Sequence, residues 1–156
     1  MKDEFKLLQT LLPGVWKGEG FAQFPTIQPT AYTESWKFEA DADKNAIHFV
    51  QKTWYKNQSE NNGKTVFWDT GFILLKEEGV LLVSAQAGGR AETYELAAHE
   101  NDQFIFNAKL ISNDPKTIRS QRILRFQDNH LIYELNMNTK EAADFQNHLK
   151  AVLQKA

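Results

Sequence analysis

The sequence contains no cysteine, and this absence removes several classes of chemistry at once. Disulfide bonds, thiol nucleophiles, cysteine-ligated zinc and iron–sulfur clusters are all excluded. A chain without disulfides also suits a reducing compartment. Its 156 residues are enough to bury a core without a disulfide or a structural metal. We therefore expect one domain that spans residues 1–156.

A strong charge of one sign and long apolar runs are also missing. The net charge is only −2, and the 18 basic and 20 acidic residues are interspersed. No basic block predicts binding to nucleic acid or to an anionic membrane. No apolar run approaches the length of a membrane span, and residues 1–4 lack the apolar core of a signal peptide. We expect a cytoplasmic protein that binds neither nucleic acid nor membrane.

Helical patterning is scarce and is clearest at the N-terminus. Phe5, Leu8 and Leu12 recur at helical spacing. Pro13-Gly14 ends this pattern, because proline and glycine do not continue a helix. Since the helix is short and apolar on one side, we expect it to cover the end of a larger structure.

Most of the remaining sequence alternates apolar and polar residues with the period of a β-strand, as around Tyr32 and Trp36. Turn-forming sequences such as Asn-Asn-Gly at 61–63 separate the strands. With a strand in the C-terminal region, about ten strands are predicted, and no long helix between them suggests parallel crossovers. The other predicted segments are 15–23, 46–55, 64–75, 79–87, 90–98, 103–110, 118–127 and 130–137.

A sheet of about ten antiparallel strands with one apolar face tends to close into a barrel, because closure removes its edges. The predicted fold class is therefore all-β, an antiparallel up-and-down barrel with the N-terminal helix over one end. A barrel of this size is wider than its own side chains fill, so it can hold a small ligand. We expect Trp16, flanked by glycines that allow close backbone approach, to plug the closed end.

Several ordered sequence blocks resemble the nitrobindin family, which comprises haem-binding β-barrels related to the fatty-acid-binding proteins (calycins). Residues 14–20 read Gly-Val-Trp-Lys-Gly-Glu-Gly and residues 24–26 read Phe-Pro-Thr, similar to the family signature Gly-x-Trp-x-Gly-x-Gly followed by Tyr-Pro-Thr. The resemblance continues through Asp-Thr-Gly-Phe at 69–72, Val-Ser-Ala-Gln at 83–86, Leu-Asn-Met at 135–137 and His-Leu-Lys-Ala at 148–151.

The C-terminal segment supports two interpretations. By period alone Phe145, Leu149, Val152 and Leu153 form a helical stripe. The family resemblance instead implies a final strand. Both remain open from the sequence.

The resemblance implies a haem b cofactor, with His148 as the protein ligand of the iron. A neutral imidazole is a good iron ligand near neutral pH, and a single protein ligand leaves one position open for a small molecule. By the same resemblance Thr26 lies at the haem. Gln86 either donates a hydrogen bond to a bound ligand or satisfies an interior amide. The candidate pocket walls are Met137, Leu135, Phe67, Phe72 and Trp68.

Two positions depart from the family pattern. Phe67 stands where nitrobindins commonly have a histidine on the distal side of the haem, and Phe24 replaces the tyrosine of Tyr-Pro-Thr. Both changes make the distal side more apolar. Such a side offers little to bound oxygen but remains compatible with NO, which needs less help from hydrogen bonds.

The function implied by the resemblance is the isomerisation of peroxynitrite to nitrate at ferric haem, together with NO binding. The partners would be haem and small diatomic or anionic nitrogen-oxide ligands, and the chain would act as a monomer or homodimer. The alternative is a non-catalytic calycin-type carrier of a fatty acid or another small apolar ligand. Such carriers usually hold the carboxylate with an interior arginine, but none of Arg90, Arg119, Arg122 and Arg125 is clearly interior from the sequence.

Two further expectations concern ionisable residues. Glu34 falls on the same alternating face as Tyr32 and Trp36, and an unpaired inward carboxylate is costly to bury. We therefore expect a bulge to turn Glu34 outward. His48, His99 and His130 show no metal-ligand spacing, so no zinc site is predicted.

Overall fold

The structure, a computed structural model, describes residues 2–23, 28–140 and 142–156. These residues form one helix and ten strands, and no helix among them has the length and apolar character needed to cross a bilayer. The elements are α1 (Lys2–Leu11), β1 (Gly14–Ala22), β2 (Thr30–Asp41), β3 (Ala46–Tyr55), β4 (Thr65–Lys76), β5 (Gly79–Gln86), β6 (Ala91–Glu100), β7 (Gln103–Ser112), β8 (Thr117–Gln127), β9 (His130–Thr139) and β10 (Ala142–Lys155).

The ten strands close into a single antiparallel barrel. Each strand pairs with its neighbours in sequence, and β1 pairs with β10 to complete the ring. The predicted fold class is therefore confirmed. The predicted segment 46–55 coincides with β3, and the other segments differ from the observed strands by at most two residues at either end.

The C-terminal segment is the strand β10, as the family resemblance implied, and the helical interpretation was wrong. Leu149 and Leu153 are buried, whereas Phe145 and Val152 are exposed, so the four residues share no single face. The pairing of β10 with β9 contains two irregularities that shift its register. The helical spacing comes from Val152, an apolar residue that is exposed between the buried Ala151 and Leu153.

The end of the barrel at which β1 begins is closed by α1. Phe5, Leu8 and Leu12 enter the hydrophobic core there. The buried Trp16 donates a hydrogen bond from Nε1 to the carbonyl oxygen of Leu12 at 2.8 Å and packs edge-on against Phe126. The predicted covering role of the helix and the predicted plug at Trp16 are both observed.

Gly20 explains part of the glycine-rich character of β1. It lies opposite Tyr32 on β2, and the Tyr32 side chain is fully buried. A Cβ at Gly20 would lie 2.5 Å from the Oη and Cζ atoms of Tyr32 and 2.3 Å from the carbonyl oxygen of Lys150. Glycine is thus required because a buried ring and a neighbouring backbone both approach this position closely.

We expect Gly20→Ala to lower the free energy of unfolding by about 1–3 kcal/mol, the usual cost of overpacking a well-packed interior. The matched control is Gly88→Ala in the turn after β5, where a new Cβ meets nothing within 4 Å. Urea unfolding of both variants measures the difference. Equal midpoints for the two variants would contradict this explanation of Gly20.

Candidate functional site

His148 lies in a β-bulge near the end of the barrel opposite α1. Asn147 opposes Asn136 on β9 and Leu149 opposes Leu135, so His148 is the extra residue of the bulged strand. A bulge breaks the alternation of faces and re-aims a side chain. As a result His148 and Leu149 are both buried although they are consecutive. The bulge therefore turns the imidazole toward the interior of the barrel.

Hydrogen bonds that do not use the imidazole hold this bulge. The Asn147 side-chain Nδ2 donates to Asn136 Oδ1 and to the carbonyl oxygen of Leu149, both at 3.0 Å. The N–H of Gln23, just beyond β1, donates to the carbonyl oxygen of His148 at 2.9 Å. Truncation of the His148 ring leaves these bonds in place.

The environment of His148 favours a neutral imidazole. The side chain is only 3% exposed. Burial, with a smaller contribution from the positive charge of Arg90, lowers the pKa of His148 to about 4. Near neutral pH the ring is therefore uncharged, which is the protonation state in which an imidazole binds a metal ion.

Three of the predicted pocket walls face the interior. Leu135, Met137 and Phe67 are buried. Met137 opposes Gln146, two residues before His148, whereas Phe67 lies on β4. Because β4 and β9 are five strands apart in the ring of ten, Phe67 and Met137 line opposite walls.

The other two predicted walls, Trp68 and Phe72, were wrong. The alternation along β4 turns both outward, with 48% and 46% exposure. The Trp68 ring lies on the outer surface, where Lys52 Nζ is 4.2 Å from its centroid. Side chains alternate between the two faces of a strand, and the buried Phe67 and Asp69 occupy the inward positions of β4. Trp68 and Phe72 therefore face outward although they are aromatic.

The end of the barrel opposite α1 is called the mouth. Gln86 lies across it from His148, since β5 and β10 are also five strands apart. Its Nε2 donates to Glu92 Oε1 at 2.7 Å, which fixes the orientation of the amide. Of the two roles predicted for Gln86, the structure contains the interior hydrogen bond. Thr26, the other predicted haem contact, lies outside the described residues.

Arg122 crosses the interior from β8 to β4. Its Nη1 donates to Asp69 Oδ2 at 2.6 Å, and its Nη2 donates to Ser84 Oγ at 3.0 Å and to Glu92 Oε1 at 3.5 Å. The side chains of Arg122, Asp69 and Glu92 are fully buried, and we call these three residues the ion triad. Burial raises the pKa of Asp69 although Arg122 opposes the shift, and the short hydrogen bond is that of an ionised pair.

Glu92 connects the ion triad to the rim of the barrel. Its Oε2 accepts a hydrogen bond from Tyr94 Oη at 2.8 Å, and its Oε1 lies 3.5 Å from Arg90 Nε. Arg90 Nη1 in turn donates to Asp114 Oδ2 at 3.0 Å. Although burial opposes the shift, hydrogen bonds from Thr117 and Arg90 lower the pKa of Asp114 to about 2. Arg90 and Asp114 thus form a balanced ion pair at the rim.

Glu34 faces the interior, so the predicted outward bulge was wrong. β2 pairs with both neighbours in regular register through this position. The buried carboxyl group accepts a hydrogen bond from Gln51 Nε2 at 3.2 Å. Burial raises the pKa of Glu34 to about 8, against a smaller opposing effect of Gln51. Protonation therefore lowers the cost of burying the Glu34 carboxyl group, and the side chain does not turn outward.

The raised pKa of Glu34 predicts a pH-dependent stability. The folded chain holds this proton up to about pH 8, whereas the ordinary value is 4.5, so between these values the folded state binds more protons. The free energy of unfolding should fall as pH rises through this window, by up to about 1.4 kcal/mol per pH unit. Urea unfolding across this pH range measures the slope, and Glu34→Gln should remove the contribution of Glu34 to it.

The control for Glu34→Gln is Glu39→Gln, an exposed position on the same strand. It should leave the slope unchanged. A wild-type slope that survives Glu34→Gln would show that Glu34 is not the group that titrates.

Sequence reasoning missed Arg122 as an interior residue, although a signal was present. Arg122 shares its strand face with Ser120 and Leu124, and all three are buried. The outward face of β8 carries the exposed Arg119. Because the apolar Leu124 lies on the same strand face, the sequence contained a signal that Arg122 points inward. Only the structure shows that Asp69 and Glu92 compensate its charge.

Comparisons with known proteins agree with this architecture. Residues 6–155 match a protein-family model described as "THAP4-like, heme-binding beta-barrel domain". A protein of Arabidopsis thaliana named peroxynitrite isomerase Rv2717c is 30% identical over 146 residues, which cover 92% of this chain and 84% of that protein. The peroxynitrite isomerase of Mycobacterium leprae (strain TN) is 28% identical over 155 residues, 94% and 92% of the two chains. The crystal structure of Rv2717c from M. tuberculosis superposes with a TM-score of 0.71, at 26% identity and with 96% of each chain covered.

Proposed function

The chain belongs to the THAP4-like, heme-binding beta-barrel domain family, and on that basis we propose that it binds haem b through His148 and converts peroxynitrite to nitrate in the barrel mouth. The match confirms the family that the sequence motifs indicated. The observation that carries the proposal is the buried, neutral imidazole that the β10 bulge turns inward. The names of the relatives supply the reaction.

The residues at the mouth fit a haem better than a bare metal ion. A bare ion needs several protein ligands, and the described residues contain no cluster of three or more histidine, aspartate or glutamate side chains that could hold one. A porphyrin brings four nitrogen donors of its own, so the protein needs to supply only one ligand, an imidazole. The buried side chains of Met137, Leu135 and Phe67 supply apolar surface for a flat macrocycle.

When bound, ferric haem supplies a Lewis-acidic iron with one open position for an oxygen-containing anion. His148 holds the cofactor from one side and stays deprotonated because its pKa lies far below neutral. Phe67 contributes an apolar surface that excludes water and donates no proton. The isomerisation needs no net proton transfer, so an apolar wall at Phe67 is compatible with it.

The proposal extends to NO, which binds an open iron position without a hydrogen-bond donor beside it. It also extends to a cytoplasmic location, supported by the absence of cysteine. The monomeric or homodimeric state remains a prediction.

The alternative of a fatty-acid carrier has weaker support. An interior arginine is present, as that function requires, but Arg122 already binds the chain's own Asp69 and Glu92. A carboxylate ligand would have to displace one of these buried partners. The structure therefore favours the haem proposal over the carrier.

Hemin titration of the purified chain tests the proposed function. We expect a saturable Soret band at one haem per chain, and faster peroxynitrite decay with nitrate as the product only in the loaded protein. The apoprotein is the matched control. A chain that gives no Soret band but binds a fluorescent fatty acid would contradict the proposal and support the carrier.

A further inference from the structure

The ion triad carries one negative charge in excess. Two carboxylates, Asp69 and Glu92, share the single guanidinium of Arg122, and all three side chains are fully buried. Charges removed from water are poorly screened, so an unbalanced buried charge acts over a longer distance than one at the surface. The triad is therefore a source of negative potential inside the barrel.

The strand register places Arg122, the positive member of the triad, nearest to the His148 bulge. The two carboxylates lie farther across the barrel interior, because β4, which carries Asp69, and β6, which carries Glu92, are each four strands from β10 in the ring. Arg122 opposes Leu135 on β9, and Leu135 opposes Leu149 on β10, the residue that follows His148. Two strand spacings separate these backbones, which corresponds to about 10 Å. Glu92 extends the triad toward the rim, where its Oε1 lies 3.5 Å from Arg90 Nε, and the positive charge of Arg90 acts on His148 in the opposite sense to the triad.

The other described ionisable groups of the interior do not cancel the excess. Burial keeps Glu34 and His148 neutral near pH 7. It also raises the pKa values of the three buried phenols, so these are neutral too: Tyr32, Tyr94 and Tyr133. At the rim, Arg90 and Asp114 balance each other.

We propose that the excess negative charge of the ion triad favours ferric over ferrous iron in the bound haem. The inference rests on the proposed function and adds to it a role for Glu92 and Asp69, neither of which is an iron ligand. Ferric iron carries one positive charge more than ferrous iron, so a nearby buried anion stabilises the ferric state more. Charge and burial around a haem are among the established means of setting its potential.

Spectroelectrochemical titration of the haem-loaded chain tests this inference, with electrons supplied by an electrode through a mediator. Glu92→Gln keeps the shape and removes the negative charge. It should raise the ferrous-to-ferric ratio at a fixed potential about tenfold, which is ~59 mV for a one-electron couple. Asp69→Asn should shift the ratio in the same direction. The exposed Glu95→Gln on the same strand as Glu92 is the control and should have little effect.

Arg90→Gln tests the direction of the shift in the ferrous-to-ferric ratio. General structural damage would not give Arg90→Gln and Glu92→Gln shifts of opposite direction. This variant removes a positive charge near His148, so it should shift the ratio toward ferric iron, by less than Glu92→Gln because Arg90 is partly exposed. Opposite shifts for Glu92→Gln and Arg90→Gln support the inference. Shifts of the same sign, or shifts no larger than that of Glu95→Gln, overturn it.

Failure of the inference is distinguishable from failure of the proposed function. A wild-type Soret band that depends on His148, with potentials that do not follow the charge changes, overturns the inference alone. The absence of a wild-type Soret band overturns both. Circular dichroism and urea unfolding of each variant confirm that the potentials compare folded proteins.

Discussion

The His148→Ala variant is expected to lose the Soret band that hemin produces with the wild-type chain. The alanine removes the only described histidine ring that is buried beside the mouth, since His148 alone among the described histidines is buried. Loss of an outer-shell partner already costs a metal site about 10–100-fold in affinity, so loss of the ligand itself should exceed roughly 100-fold. Hemin titration followed by absorbance measures the effect.

Two controls accompany this experiment. His99→Ala removes an exposed ring that stacks on Phe104 outside the mouth, and it should leave the Soret band unchanged. Free imidazole added to His148→Ala should restore the band in part, because the bonds that hold the bulge remain. A His148→Ala spectrum identical to that of the wild type would show that another group ligates the iron.

Arg122→Ala is expected to destabilise the fold by about 3–5 kcal/mol, the cost of leaving buried charges unpaired. Asp69 and Glu92 would remain inside the barrel without their guanidinium. Because domains are stable by only about 5–15 kcal/mol, this single change should remove a large part of the total. Urea unfolding near neutral pH measures it, with Arg119→Ala on the exposed face of β8 as the control.

The triple variant Arg122→Met, Asp69→Asn and Glu92→Gln separates charge from shape. Replacing all members of a buried ion network by neutral groups is often close to neutral for stability. We therefore expect the triple variant to be more stable than Arg122→Ala. If Arg122→Ala unfolds at the same urea concentration as Arg119→Ala, the ion triad does not stabilise the barrel as described.

The barrel was predictable because it depends on features that repeat along the chain. Alternation along β2 and β3 and the turns between strands give the strand number and the antiparallel order. The N-terminal helix followed from the spacing of Phe5, Leu8 and Leu12. These signals are local, so they can be read without knowledge of the neighbouring strands.

The position of His148 was accessible from family resemblance but not from its pattern. Its bulge has no signal in the sequence, because register is set by the pairing with Asn136 and Leu135 on another strand. The helical spacing of the C-terminal segment has a separate origin, the exposed apolar Val152 between the buried Ala151 and Leu153. The single extra residue therefore explains the inward imidazole and not the ambiguous period.

Charged interior residues were the weakest part of the sequence interpretation. Glu34 was expected to avoid the interior, and it is inside because Gln51 and a retained proton lower the cost. Arg122 was left unassigned, and it is inside because Asp69 and Glu92 meet it there. Both cases depend on partners from distant strands, which local patterns do not identify.

The central claim is that His148 holds haem inside the barrel mouth, and a crystal structure of the hemin-loaded chain tests it most directly. The account predicts an iron bonded to a ring nitrogen of His148, with Met137 and Phe67 on the walls around the porphyrin. An iron bonded to another side chain, or a porphyrin stacked outside the barrel on Trp68 and Phe72, would contradict the account.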